Sequence, residues 1–71
     1  MDAENKKLAL GTAVRARRES QGLSQARLAL MIGSSKSHIW RIESGRVSVG
    51  IDDLSRIAEA LGCTVSSLIE F

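Results

Sequence analysis

Apolar residues recur along this chain three or four positions apart, and no segment shows the sustained alternation of a β-strand. A repeat of three to four residues places apolar side chains on one face of a helix, whereas a half-buried strand alternates. The chain contains no proline, so no predicted helix is interrupted by one. The pattern therefore predicts an all-α protein.

Glycines and short polar residues divide this pattern into five helices. We predict a first helix over residues 3–20, a second that begins at 25 and is stopped by Gly33, a third over 36–43, a fourth over 51–61 and a fifth from 65 to about 70. Glycine follows four of the helices, as is typical of helix C-termini: Gly22, Gly33, Gly45 and Gly62. Residues whose hydroxyl can cap a helix N-terminus precede the second, third and fifth helices: Ser24, Ser35 and Thr64.

The composition allows one small core. Apolar residues make up 44% of the 71 residues and aromatic residues only 3%, so the core must be aliphatic. A chain of this length forms a single domain, which we assign to residues 1–71. The inward positions of the second and third helices are Leu28, Ala29, Ile32, Ile39 and Ile42.

The chain has no feature of an exported or membrane protein. No apolar run reaches membrane-spanning length, and no signal-peptide pattern begins the sequence. Cys63 is the only cysteine, so an internal disulfide is excluded, which fits a reducing compartment. We expect a cytoplasmic protein that makes no membrane contact.

Positive charge is concentrated in one part of the chain. Residues 6–46 carry nine cations and two anions, hence +7, whereas residues 47–71 carry one cation and four anions, hence −3. Such a division is expected of a domain that presents a basic face to a polyanion. By itself it is equally compatible with an arginine-rich face that is merely solvated.

The sequence offers no credible catalytic or metal site. His38 has no cysteine or second histidine at ligand spacing, and the acidic residues are scattered. Nucleophilic catalysis needs a nucleophile, a base and an orienting group, and no such set is present. Residues 33–36 lack the full glycine–lysine spacing of a phosphate loop. We predict no enzymatic activity, no cofactor and no metal, and interpret His38 as a packing residue.

The stretch from about 24 to 44 has the pattern of a helix–turn–helix. Ala29 is small enough for two helices to cross closely, Gly33 allows a tight turn, and the aliphatic residues bury the angle between the helices. The outward positions of the second of these helices carry a cation, hydroxyls and the only tryptophan: Ser37, Trp40, Arg41 and Ser44. A helix with this outward face is suited to contact DNA.

From Leu10 to about Ile69 the chain resembles the Xre family of helix–turn–helix proteins, which includes the phage Cro and lambda-type repressors. The resemblance rests on the segments LGTAVRARR, GLSQARLA, IGSSKSHIWRIESG, IDDLSRIAEALGC and VSSLI. It implies a compact, lambda-repressor-like bundle of five helices, with the third helix in the major groove of double-stranded DNA. It also implies a two-fold homodimer on a pseudo-palindromic operator.

The resemblance assigns roles to individual residues. It implies base-reading positions at Lys36, Ser37, Trp40 and Arg41, and phosphate contacts from Ser24, Gln25, Ser35 and Arg46. It also implies a structural salt bridge between Arg18 and Glu43. Trp40 is unusual at its position, and two interpretations are open. It either contacts thymine methyls or the sugar–phosphate backbone, or packs over a neighbouring loop.

We therefore predict a sequence-specific transcriptional regulator that acts as a homodimer. The alternative is an antitoxin of the same fold that sequesters a partner protein. No sensing domain fits in 71 residues, so control by protein concentration and dimerisation is expected, as in Cro-like repressors and restriction–modification controller proteins. The predicted dimer interface consists of C-terminal apolar residues in excess of what one core needs: Val65, Leu68, Ile69 and Phe71.

Overall fold

The computed structural model describes residues 2–70, and within that range it contains five α-helices and no strand. The helices are α1 (Ala3–Ser20), α2 (Gln25–Met31), α3 (Lys36–Glu43), α4 (Ile51–Leu61) and α5 (Val65–Leu68). The predicted all-α bundle of five helices is confirmed. Only the last helix differs clearly from its predicted length, since α5 is a single turn that ends at Leu68.

Side-chain caps begin four of the five helices. The predicted caps Ser24, Ser35 and Thr64 each accept a hydrogen bond from the backbone N–H three residues later, at 3.0–3.2 Å. Asp2 caps α1 in the same way, accepting from the N–H of Asn5 at 2.9 Å. Each cap satisfies a donor that the helix itself cannot pair.

The buried core is aliphatic, as the composition requires. It is formed by the inward stripes of all five helices: Leu10, Val14, Leu28, Ala29, Ile32, Ile39, Ile42, Leu54, Ile57, Ala58, Leu61 and Leu68. Helix α3 packs against both α1 and α2, and Val14, Leu28 and Ile39, one from each of these helices, are completely buried. This packing holds α3 at the surface with one face inward.

The C-terminal helix corrects part of the predicted dimer interface. Leu68 is only 1% exposed, because the single turn of α5 packs onto α1 and α4 and directs this side chain into the core. Leu68 therefore has no surface to offer a second chain. Val65 is half-buried and Ile69 is 42% exposed, so these two side chains keep some surface outside the core. The predicted contact of Phe71 lies outside the described residues.

Helices α1 and α3 approach each other closely at Gly11. A Cβ atom at this position would lie 2.7 Å from the carbonyl oxygen of Glu43 and would also collide with that of Ile42. The absence of a side chain at Gly11 therefore sets the distance between α1 and the C-terminal half of α3.

Within residues 2–70, no helix is long and apolar enough to cross a membrane.

Candidate nucleic-acid interface

A tight turn joins α2 to α3. The chain leaves α2 through Gly33, whose φ of +67° lies in the left-handed region that glycine adopts without strain. The N–H of Ser34 donates to the carbonyl of Ala29 at 2.8 Å, and Ser35 then begins α3. The direction of α3 is thus determined within a few residues of the end of α2.

Helix α3 has one buried and one exposed face. Ile39 and Ile42 are at most 1% exposed, and they pack against α1 and α2. The four predicted base-reading residues all lie on the exposed face and, together with Gln25, line one groove: Lys36, Ser37, Trp40 and Arg41. The structure therefore brings together on one surface residues that the sequence separates by up to 16 positions.

A buried ion pair fixes the C-terminal end of α3 to α1. Arg18 donates to Glu43 from Nε at 2.7 Å and from Nη2 at 3.0 Å, and the two side chains are 9% and 3% exposed. Its Nη1 also donates to the carbonyl of Leu23 at 2.6 Å. The hydrogen bonds to Glu43 raise the pKa of Arg18 above the ordinary value for arginine, despite the opposing effect of burial. The structure thus contains the salt bridge that the resemblance implies, in bidentate form.

Gln25 belongs to the same hydrogen-bond network. Its Nε2 donates to Oε1 of Glu43 at 3.1 Å, so the first residue of α2 is tied to the last residue of α3. One carboxylate therefore orients both Arg18 and the residue that the resemblance assigns to a phosphate. No local pattern in the sequence indicates this link, because a contact between residues 18 positions apart depends on how the two helices cross.

The other predicted phosphate contacts lie around the same groove. Ser24 and Ser35 use a hydroxyl lone pair as helix caps, which leaves the hydroxyl proton of each free to donate. Arg46 follows α3 and is exposed. Within residues 2–70, Lys36, Arg41 and Arg46 form no salt bridge, so their charges remain available to an anion.

Trp40 combines features of both interpretations that the sequence left open. The guanidinium carbon of Arg46 lies 4.9 Å from the centroid of the indole ring, so the ring does pack against a residue of the following loop. The tryptophan nevertheless remains 47% exposed in the groove beside Lys36 and Arg41. Both residues are candidate DNA contacts by their sequence positions, but nothing in the sequence indicates that Arg46 lies over Trp40.

His38 connects α3 to α4. Its Nε2 lies 3.2 Å from Oδ2 of Asp53, and the two side chains are 28% and 36% exposed. Asp53 also pairs with Arg56, at 3.4 Å. His38 therefore contacts a neighbouring helix through a polar partner, which its interpretation as a packing residue did not include. Within residues 2–70 no group of three potential metal-ligating side chains is present.

Comparison with known proteins identifies the family. The family model described as Helix-turn-helix (HTH_3) matches residues 14–68, a range that includes the whole of α2 to α5. No curated protein shows significant sequence similarity to the chain.

Several solved structures share the fold over nearly the whole chain. The restriction–modification controller protein C.AhdI from Aeromonas hydrophila matches with a TM-score of 0.90 and 28% identity, over 96% of this chain and 99% of its own. The P22 c2 repressor, in complex with synthetic operator 9T, gives 0.82 and 30% identity over 86% and 92%. The clp gene regulator ClgR from Corynebacterium glutamicum gives 0.85 and 31% identity over 87% and 66%. The chain belongs to the HTH_3 family of helix–turn–helix DNA-binding regulators of the Cro/C1 type.

Proposed function

We propose that this protein is a sequence-specific transcriptional regulator that binds a pseudo-palindromic operator as a homodimer, with α3 in the major groove. The observation that carries the proposal is the contrast in charge pairing on α3. Arg18 and Glu43 neutralise each other in the interior, whereas Lys36 and Arg41 form no salt bridge among the described residues. Exposed cations on a rigidly held helix are suited to a polyanion with a groove as wide as a helix.

Direct reading of bases is proposed for Arg41, Lys36 and Ser37. An arginine or lysine can donate hydrogen bonds to O6 and N7 of guanine. No other base presents this pair of acceptors in the major groove. Ser37 is short and exposed next to Lys36, so it leaves room for a base edge to approach. The ion pair between Arg18 and Glu43 supports this role indirectly, since it limits rotation of α3 against the domain.

Phosphate contacts are proposed for residues at the rim of the groove. Ser24, Gln25 and Ser35 lie at the N-terminal ends of α2 and α3, and Arg46 lies just beyond the C-terminal end of α3. Contacts of this kind set the register of a protein on the duplex but carry no sequence information. The P22 c2 repressor, which shares 30% identity, was solved with an operator, and this supports the same mode of binding here.

Dimerisation is proposed through the C-terminal part of the chain. Ile69 leaves an apolar side chain 42% exposed beside the half-buried Val65. This end belongs to residues 47–71, whose net charge is −3, and so lies outside the segment that carries the basic charge. Ile69→Asp should shift the species towards monomer in sedimentation velocity. Leu68→Asp should instead unfold the protein, because Leu68 lies in the core.

The proposed function is tested by selecting bound duplexes from random DNA and measuring affinities by fluorescence anisotropy. We expect a two-fold symmetric consensus and an affinity that falls steeply with salt, because binding releases counterions from the phosphates. Arg41→Ala should abolish the preference at one position of each half-site, while Arg27→Ala serves as a control for the loss of an exposed cation. Absence of salt-dependent binding to any duplex would refute the proposal and favour a protein-sequestering antitoxin.

A further inference from the structure

Trp40 and Arg46 form a stacked pair at the edge of the exposed face of α3. The Arg46 guanidinium lies over the indole at 4.9 Å from the ring centroid. The backbone beneath the pair is fixed, because the N–H of Arg46 donates to the carbonyl of Arg41 at 3.0 Å across the C-terminus of α3. The backbone of Arg46 is therefore fixed, and its side chain extends back along α3 to Trp40.

Stacking leaves the hydrogen-bonding capacity of the arginine intact. A guanidinium can contact an aromatic ring through its flat face, while its five N–H donors radiate in its own plane. Within residues 2–70, Arg46 forms no salt bridge with an acidic side chain. The indole thus restricts the orientation of Arg46 without using the groups that would bind a phosphate.

Much of the Trp40 surface remains exposed beside this pair. Along a helix four neighbours could cover the ring: Lys36 and Ser37 before it, and Glu43 and Ser44 after it. Glu43 turns its carboxylate inward to Arg18, Ser37 is small, and Ser44 folds its hydroxyl back to donate to the Trp40 carbonyl at 2.7 Å. A large apolar ring that is 47% exposed therefore projects between polar residues of the groove.

We propose that Trp40 and Arg46 act as one recognition unit, in which the indole selects a thymine methyl and holds the Arg46 guanidinium ready for a backbone phosphate. The inference rests on the proposed DNA-binding function. The thymine methyl is the one apolar group that base edges present in the major groove. An indole that is bare on a polar face matches that group, whereas Lys36 and Arg41 match hydrogen-bond acceptors.

The methyl contact is tested by replacing each thymine of the selected operator by uracil, which removes only the methyl group. For the wild-type protein we expect affinity to fall by roughly two- to fivefold at one symmetric pair of positions, as the loss of one buried methyl implies. Trp40→Ala should bind thymine and uracil equally there, while Leu30→Ala, a control at an exposed residue of α2, should keep the wild-type pattern. Circular dichroism checks that each variant is folded.

The positioning of Arg46 is tested by a double-mutant cycle of Trp40→Ala and Arg46→Ala. Arg46→Ala should lower the slope of log affinity against log salt by about one phosphate contact. If the two residues act together, the double variant should lose less affinity than the product of the two single losses, by roughly two- to fivefold. Arg56→Ala, on α4, should leave both the slope and the thymine dependence unchanged.

Trp40 is the only tryptophan of the chain, so its emission reports on the pair directly. Emission of the free protein should change in Arg46→Ala but not in Arg56→Ala, and operator DNA should change it further. The inference is overturned if wild-type affinity is indifferent to every uracil, if Trp40→Ala retains the thymine dependence, or if the two variants act independently. Each of these results can occur with normal operator binding, whereas loss of all salt-dependent binding would refute the proposed function itself.

Discussion

Both faces of α3 carry charged residues, but in the described part of the chain those of the inner face are paired within the protein and those of the outer face are not. On the inner side, Glu43 accepts two hydrogen bonds from Arg18 and one from Gln25, and Ile39 and Ile42 are fully packed. On the outer side, Arg41 is exposed and forms no salt bridge among residues 2–70. Charge by itself therefore does not identify a binding residue. What matters is whether the protein already supplies the partner.

The inner contacts make the outer face useful. A base-reading side chain must lie close to its productive position, and that requires a helix that does not roll or slide. Arg18 and Glu43 fix α3 to α1, His38 and Asp53 connect it to α4, and Gly11 sets how closely α1 approaches. Substitutions on the inner face should therefore reduce stability, while those on the outer face should reduce DNA recognition alone.

Among substitutions that distinguish the two faces of α3, the largest effect on stability is expected for Glu43→Ala. The substitution leaves Arg18 charged and buried without its partner, and loss of one member of a buried pair typically costs about 3–5 kcal/mol. Urea unfolding followed by circular dichroism measures the loss. Glu19→Ala is the matched control, because its pair with Arg15 is more than half exposed and should contribute only about 0–1 kcal/mol. Equal losses in the two variants would contradict the assigned importance of the inner pair.

A smaller loss is expected for Gly11→Ala. Replacement of a helical glycine by alanine normally stabilises a helix by about 1 kcal/mol, but here the added Cβ would meet backbone carbonyls of α3. The net result should be a destabilisation of about 1–3 kcal/mol, with α3 displaced and operator affinity reduced. Thermal unfolding and anisotropy measure the two effects. Thr12→Ala, at the exposed neighbouring position, should change neither, and a stabilised Gly11→Ala would refute the close approach.

Ser35→Ala tests the start of α3. Loss of the cap leaves the N–H of His38 without its 3.1 Å bond, and removal of such a cap typically costs about 1 kcal/mol. Ser37→Ala removes a hydroxyl from the same helix on the exposed face and should stay within about 0.5 kcal/mol. The midpoints of urea unfolding separate the two variants. Identical midpoints would indicate that the cap is not required.

The smallest effect on stability is expected for Arg41→Ala, although its effect on recognition should be large. An exposed residue without an ion pair among the described residues should change the unfolding free energy by less than about 0.5 kcal/mol. Discrimination between guanine and other bases at its position should fall by about 1–3 kcal/mol. Competition titrations with singly substituted operators measure this. If Arg41→Ala unfolds more easily than Ser35→Ala, Arg41 contributes to the packing of α3 and is not a residue of the exposed face alone.

Much of the fold could be predicted from local sequence patterns. Helix starts at Ser24, Ser35 and Thr64 follow from the short-range geometry of a hydroxyl and a nearby N–H, which distant residues do not influence. The aliphatic stripes likewise predicted which side of α3 is buried, since 3.6 residues per turn relate each position to a direction. The outward positions of the candidate site were predicted for the same reason.

Contacts between helices could be predicted less well from the sequence. The salt bridge between Arg18 and Glu43 was anticipated only through the family resemblance, and Leu68 was assigned to an interface although it fills the core. Surplus apolar residues near a chain end look alike whether they face a core or a partner. Only the packing of α5 against α1 and α4 distinguished Leu68, which is buried, from Ile69, which is not.

Helical periodicity and capping thus determine which residues of this chain form each helix and which side of it is apolar. The crossing of the helices decides which charges find partners: Glu43 meets Arg18 and Gln25, His38 meets Asp53, and Arg46 lies over Trp40. The physical reason is one of range. Capping and periodicity act over a few residues, whereas pairing of side chains depends on angles and distances that are set only when all five helices pack around one core.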